Sequence, residues 1–143
     1  NRDVPPLRYD VVYQIKKENP NLEIIINGGI QDLDLAANHL QHVDGVMLGR
    51  AIYHNPWLLA DVDRRFYNDT NPLSAQQDII DRITPYIEQK LAEGTALKHM
   101  TRHLLGLFQG MPGAKQWRRY LSENAYKDDA GIEVLQEAVS RIR

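Results

Sequence analysis

Apolar positions along the first third of the chain follow two different periods. Leu7, Val11 and Ile15 stand four apart with Val12 beside them, while Gln14, Lys17 and Glu18 fall on the other side. That spacing predicts a helix with one apolar face, opened by the loop at Pro5 and Pro6 and stopped by Asn19-Pro20-Asn21. Leu22 to Ile26 is a nearly continuous apolar, β-branched run broken only by Glu23. A strand apolar on both faces suits a buried parallel sheet better than a half-exposed antiparallel one. It ends abruptly in Asn27-Gly28-Gly29. Asp32 is placed to cap a second helix carrying Leu33, Leu35, Ala36 and Leu40. A second short run, Val46-Met47-Leu48, ends in Gly49-Arg50.

Beyond Arg50 only helical patterns recur. Asn55-Pro56 predicts a cap with proline at the first helical position, ahead of Trp57, Leu58, Leu59 and Val62. Asn68 to Pro72 is rich in Asn, Asp and Pro and reads as a linker, so a domain boundary is expected there. Ser74 with Gln77 matches a capping box before Ile79, Ile80, Ile83, Ile87 and Leu91. Pro85 is expected to kink or restart that helix. Gly94 ends it, Thr95 can cap the next with Leu97, Met100, Leu104 and Leu107, and Pro112-Gly113 breaks the chain again. A short helix around Trp117 to Leu121 and a last one with Ile132, Leu135, Val139 and Ile142 complete the pattern.

Two parallel strands do not make a stable sheet alone. The order helix, strand, helix, strand, helix therefore predicts the last βα units of a (βα)8 TIM barrel over residues 1–70. A helical bundle domain is expected over residues 71–143, so the fold class is α/β plus all-α. The chain opens with Asn1-Arg2-Asp3, without an initiator Met or a targeting pattern, and is expected to be the C-terminal portion of a longer protein.

Composition narrows the chemistry. With 143 residues, 43% hydrophobic, 25% charged and a formal charge of -2, the chain has the make-up of a soluble globular protein. No apolar stretch approaches the roughly 20 residues of a membrane-spanning helix. The absence of cysteine excludes a disulfide scaffold, a thiol nucleophile and a Cys-based metal site within this chain. A pI near 6.2 argues against an overall basic coat for nucleic acid but leaves local patches open.

The two glycine turns carry the strongest chemical signal. In a parallel barrel, strand ends one βα unit apart emerge on the same rim. Glycine lets the backbone approach a ligand closely. Turn N–H groups, the dipole of a following helix and the Arg50 guanidinium can together hold a phosphate. The last two barrel loops with a short extra helix form the recurring phosphate site of this fold, and Ala51 to His54 has the length for that helix. The plainer reading is that these are turn and capping glycines. Two such turns, each directly after an apolar strand and one with Arg50, favour the phosphate site.

A second signal runs from Lys98 to Arg119, where the chain has no acidic residue. Lys98 and Arg102 are four apart, Lys115, Arg118 and Arg119 are at helical spacing, and Phe108, Trp117 and Tyr120 are interleaved with them. A local cationic patch on a mildly acidic chain can contact RNA phosphates, and rings can stack on unpaired bases. On charge alone, a solvated helix face with its aromatics in the core is the favoured reading, and Trp117 suits the core better than a stacking role. His99 and His103 resemble half of a helical zinc site, but Arg102 between them opposes a cation and no catalytic glutamate is present, so no metal is expected. No acid/base pair or nucleophile motif stands out.

Asn27-Gly28-Gly29-Ile30, then Asp44-Gly45-Val46-Met47-Leu48-Gly49-Arg50-Ala51, then His54-Asn55-Pro56-Trp57 resemble the tRNA-dihydrouridine synthase family. The stretches His103-Leu104-Leu105-Gly106-Leu107-Phe108-Gln109-Gly110, Pro112-Gly113-Ala114 and Trp117-Arg118-Arg119-Tyr120-Leu121-Ser122 are similar to its A-type bacterial branch. The resemblance implies a cytoplasmic, FMN-containing barrel enzyme with a helical tRNA-binding domain. Such an enzyme reduces D-loop uridines of tRNA to dihydrouridine and uses NADPH to reduce the flavin. Carried over by position, Asn27, Gly28 and Gly29 would contact FMN, Gly49 and Arg50 would hold its phosphate, and Lys115, Arg118 and Arg2 would contact tRNA. The family's proton donor is a cysteine on an earlier loop. This chain has none, so it is expected to be inactive alone. Two other readings stay open: an FMN barrel oxidoreductase acting on a small molecule, and a non-enzymatic helical RNA-binding module. Oligomeric state is not legible in the sequence.

Overall fold

The computed structural model describes residues 6–70 and 73–142. Arg2, Pro5 and the Asn71-Pro72 end of the expected linker lie outside the described residues. The chain is mostly helical, with one two-stranded parallel sheet. It divides into two compact units, Asn1–Ala51 and Ile52–Arg143. The segment ahead of the expected linker, residues 52–67, thus groups with the later helices.

The first unit holds α1 (Tyr9–Glu18), β1 (Ile25–Asn27), α2 (Leu33–His39) and β2 (Gly45–Met47). Ile26, Ile30, Leu33, Ala36 and Val43 form its apolar core, together with His39 at 1% exposure. Asp32 caps α2 as expected, accepting the Leu35 N–H at 2.7 Å. Asp44 ties three segments together: its carboxylate accepts the Ile24 N–H at 2.8 Å and pairs with Lys16 of α1 at 2.8 Å. Lys16 also donates to the Pro20 and Leu22 carbonyls, closing the loop that Asn19-Pro20 opens.

Two expectations change here. The stripe of Leu7, Val11 and Ile15 is exposed, and the inward contacts come from Tyr9, Tyr13 and Lys16. These residues win that face because each carries a polar atom that finds a partner on the α1–β1–α2 layer. The first strand starts three residues later than the apolar run, and only Ile26 of it is buried, with Ile25 and Met47 exposed.

The second unit contains the rest of α3 (Arg50–His54), a 3-10 helix (Pro56–Asp61), α4 (Val62–Tyr67), α5 (Gln76–Ala92), α6 (Lys98–Thr101), α7 (Ala114–Asn124) and α8 (Ile132–Val139). Pro56 occupies the first position of the 3-10 helix, as the sequence predicts. The helix-starting role assigned to Ser74 with Gln77 passes to Asp78. Its carboxylate takes the N–H groups of Ser74 and Ala75 and the Ser74 hydroxyl, which holds its pKa below the ordinary carboxylate value. α5 runs unbroken through Pro85, whose ring faces solvent. Thr95 does not cap the next helix: α6 begins at Lys98 and lasts one turn, and the chain from His103 to Gly110 proceeds in successive turns.

α8 packs against both α5 and α7. The core between them is built from Ile80, Ile87, Leu107, Trp117, Leu121 and Leu135, all at most 4% exposed. Trp117 is fully buried, donates its indole N–H to the Leu104 carbonyl at 3.3 Å, and meets Phe108 edge-on with ring centroids 4.9 Å apart. The tryptophan is thus a core residue with its one polar atom satisfied.

Candidate functional site

In the first unit the two strands pair in parallel with Ile25 opposite Gly45, Ile26 opposite Val46 and Asn27 opposite Met47. The chain therefore leaves both strands at the same edge, once through Gly28-Gly29 and once through Leu48-Gly49-Arg50. Gly28 and Gly29 have φ of +120° and +64°, so both occupy backbone conformations that side chains resist. The start of α1 and the residues before it hold this turn from behind. A Cβ on Gly28 would stand 2.8 Å from a Leu7 methyl, and one on Gly29 2.6 Å from the other. The Tyr9 hydroxyl donates to the Gly28 carbonyl at 2.5 Å.

Gly49 differs: a Cβ there would meet nothing within 4 Å, so its backbone faces open space. Arg50 follows it, exposed and without an ionic partner among the described residues. Open backbone beside an unpaired guanidinium, next to a glycine turn on a neighbouring strand, suits a phosphate and its attached group. The residues present therefore fit the phosphate end of a flavin mononucleotide.

In the second unit, α7 presents two faces. Ala114, Trp117 and Leu121 are buried, whereas Lys115, Arg118 and Arg119 are exposed. Gly113, with φ of +92°, starts the helix where a Cβ would strike the Arg141 backbone, so the sharp turn after Pro112 requires glycine. Arg119 pairs with Glu123 at 2.7 Å on the outer side. Lys115 and Arg118 have no ionic partner among the described residues and line a cleft of about 790 Å³. Arg102, Tyr53, His54 and Tyr126 line the same cleft, and no described carboxylate does.

Of the cationic stretch from Lys98 to Arg119, Arg102, Lys115 and Arg118 line this cleft, Arg119 pairs with Glu123, and Lys98 and His103 pack against two of the cleft's tyrosines. The Lys98 ammonium lies 5.6 Å from the centre of the Tyr126 ring. His103 packs edge-on to Tyr53, with centroids 6.1 Å apart. No group of three potential metal ligands occurs among the described residues. Tyr53 and Tyr126 gave no signal in the sequence, because a lone tyrosine outside any periodic pattern is indistinguishable from a surface residue. What brings residues 53–54 and 102–110 together is visible only in the structure: a Cβ on Gly106 would collide with the His54 carbonyl, so only glycine permits this close approach.

The chain belongs to the dihydrouridine synthase family: the sequence model described as Dihydrouridine synthase (Dus) matches residues 1–143. It is 54% identical over 142 residues to the tRNA-dihydrouridine(20/20a) synthase of Vibrio vulnificus (strain CMCP6), covering 99% of this chain and 44% of that protein. The proteins of the same name from Shewanella oneidensis and Escherichia coli (strain K12) are each 52% identical, over 100% and 99% of this chain and 43% and 41% of theirs. The chain thus spans less than half the length of the curated relatives it matches. No described helix is long and apolar enough to cross a membrane.

Proposed function

We propose that this chain forms part of a cytoplasmic, flavin-dependent tRNA-dihydrouridine synthase, supplying the phosphate end of the FMN site and a tRNA-contacting surface. Residues 1–70 would be the last βα units of a (βα)8 barrel, and residues 71–143 a helical tRNA-binding domain, although residues 52–67 pack with the later helices. Asn27, Gly28 and Gly29 would contact FMN, and Gly49 and Arg50 would hold its phosphate. Lys115 and Arg118 would contact tRNA. Arg2 would do so as well, outside the described residues.

When bound, FMN supplies hydride exchange with the uracil ring and is itself reduced by NADPH. The chain's own part is to position. The Gly28-Gly29 turn is held in place by Tyr9 and Leu7, Gly49 offers open backbone, and Arg50 offers a two-pronged donor to phosphate oxygens. The cations of α7 hold the RNA backbone, which lets the target base leave its stack. Uracil reduction also needs a proton on the neighbouring carbon, and this cysteine-free chain does not carry the family's donor. We expect no turnover by the chain alone.

One observation carries the reading. Of the three cations on the exposed face of α7, Arg119 is neutralised by Glu123, while Lys115 and Arg118, the two that the family resemblance implies for tRNA, stay unpaired at an acid-free cleft. The test is tRNA binding by the chain across a salt series, beside a Lys115→Ala/Arg118→Ala double variant. Salt-sensitive binding that weakens in the variant is expected. Absence of tRNA binding would overturn the RNA part and favour a flavin barrel enzyme with a small-molecule substrate.

A further inference from the structure

The cleft beside α7 is built from two parts of the chain that are far apart in sequence. The close approach of Gly106 to the His54 carbonyl locks the turns after α6 against the end of α3, and the Tyr53–His103 ring contact locks them a second time. As a result Arg102 and Tyr53 stand at the same cleft as Lys115 and Arg118. Arg102 is exposed, and neither it nor its two cationic neighbours has a carboxylate partner among the described residues. Three unpaired cations around one concave surface repel each other and await a polyanion. Tyr53 is 58% exposed although it is a large ring in a lined cleft, so a flat partner can still cover it.

We propose that Arg102 is a third phosphate-contacting cation of this cleft and that Tyr53 stacks on an unpaired base beside it, so that the cleft takes single-stranded RNA. The proposal rests on the tRNA reading above and assigns two residues that reading does not use. Cations fix the backbone and a ring covers the exposed base, which is the division of labour in sites for unpaired nucleotides. Duplex RNA keeps its bases stacked and has no face to give Tyr53. Tyr126 is the poorer platform, because Lys98 already lies over its ring.

The test uses the 143-residue chain with a short oligouridylate and with a blunt-ended RNA duplex of equal length. Each single-strand phosphate contact contributes about 0.7 to the slope of log affinity against log salt. Arg102→Ala should lower oligouridylate affinity and flatten the slope by about that amount, and Arg102→Lys should keep the slope. Tyr53→Leu should weaken binding about fivefold or more at unchanged slope, and Tyr53→Phe should restore it. The duplex should bind more weakly than the oligouridylate and be indifferent to Tyr53→Leu. If Lys115→Ala/Arg118→Ala weakens binding while Arg102→Ala and Tyr53→Leu do not, the proposal fails and the tRNA reading stands. If the parent chain binds neither RNA, both fail. Circular dichroism on each variant separates loss of a contact from loss of fold.

Discussion

Gly106 leaves no room for a Cβ against the carbonyl of His54, and this contact joins the end of α3 to the turns after α6. A backbone oxygen cannot step aside as a flexible side chain can. Gly106→Ala should therefore cost the second unit about 1–3 kcal/mol, the usual penalty of overpacking. It should also widen the cleft and weaken RNA binding without removing any charge. Thermal unfolding and binding on the same variant check both halves, and an unchanged melting temperature would contradict the close approach.

The glycine turn after β1 should respond differently at its two positions. Gly29, at φ +64°, lies in the left-handed well that other residues reach at about 1–2 kcal/mol. Gly28, at φ +120°, lies outside that well, so Gly28→Ala should be the more destabilising of the two. The Leu7 methyls add a softer penalty at both sites, relieved in a Leu7→Ala background. Comparing melting temperatures of the two alanine variants, with and without Leu7→Ala, separates backbone strain from crowding.

His39 predicts a loss of stability at mildly acidic pH. Its ring is buried, its Nδ1 meets the Tyr13 hydroxyl at 2.5 Å, and its Nε2 has no hydrogen-bond partner. Burial, reinforced by the nearby His42, holds its pKa below the ordinary histidine value. The neutral form is thus favoured in the fold, so the contribution is intact above about pH 6.5 and is lost as the pH falls through the lowered folded value. Protection factors for amide exchange in α1 and α2, corrected for the intrinsic rate, should fall over that range. In His39→Phe, these protection factors should lose that pH dependence.

Asp44 predicts a second, more acidic step. Its bond from Lys16, followed by that from the Ile24 N–H, holds its pKa below the ordinary carboxylate value. The stabilisation is therefore complete above about pH 4 and disappears as the pH falls through the folded value. Asp44→Asn keeps the shape but removes the charge. In acid titrations followed on the β1–β2 amides, the parent chain should lose protection in this step. The variant should start from lower protection at neutral pH and show no such step.

How far the sequence foretold these sites depended on the kind of signal. Asp32, Pro56 and Gly94 mark their element ends correctly, because caps and breakers act on the few residues beside them. The period of Ile80 and Ile87 placed the core face of α5, and Gly28-Gly29 and Gly49-Arg50 placed the two turns at one sheet edge. Tertiary choices were less legible. Leu7, Val11 and Ile15 form one apolar face, yet that face is exposed, and Tyr9 and Tyr13 make the inward hydrogen bonds of α1. Thr95 had the chemistry of a cap but lost that role when the chain turned again before Lys98. Charge spacing grouped Lys98 with Arg102, and only packing shows that Arg102 alone of the two joins the cleft.

Trp117 sits in a buried, hydrogen-bonded socket on the side of α7 away from Lys115 and Arg118. That position makes its indole an internal optical gauge. In a Trp57→Phe background, which leaves Trp117 as the one tryptophan, the emission comes from an apolar surrounding while the second unit is folded and moves toward the red on unfolding. Nucleic acid arriving at the opposite face does not touch the ring. The same helix therefore carries both a ligand-facing side and a silent reporter of its own integrity.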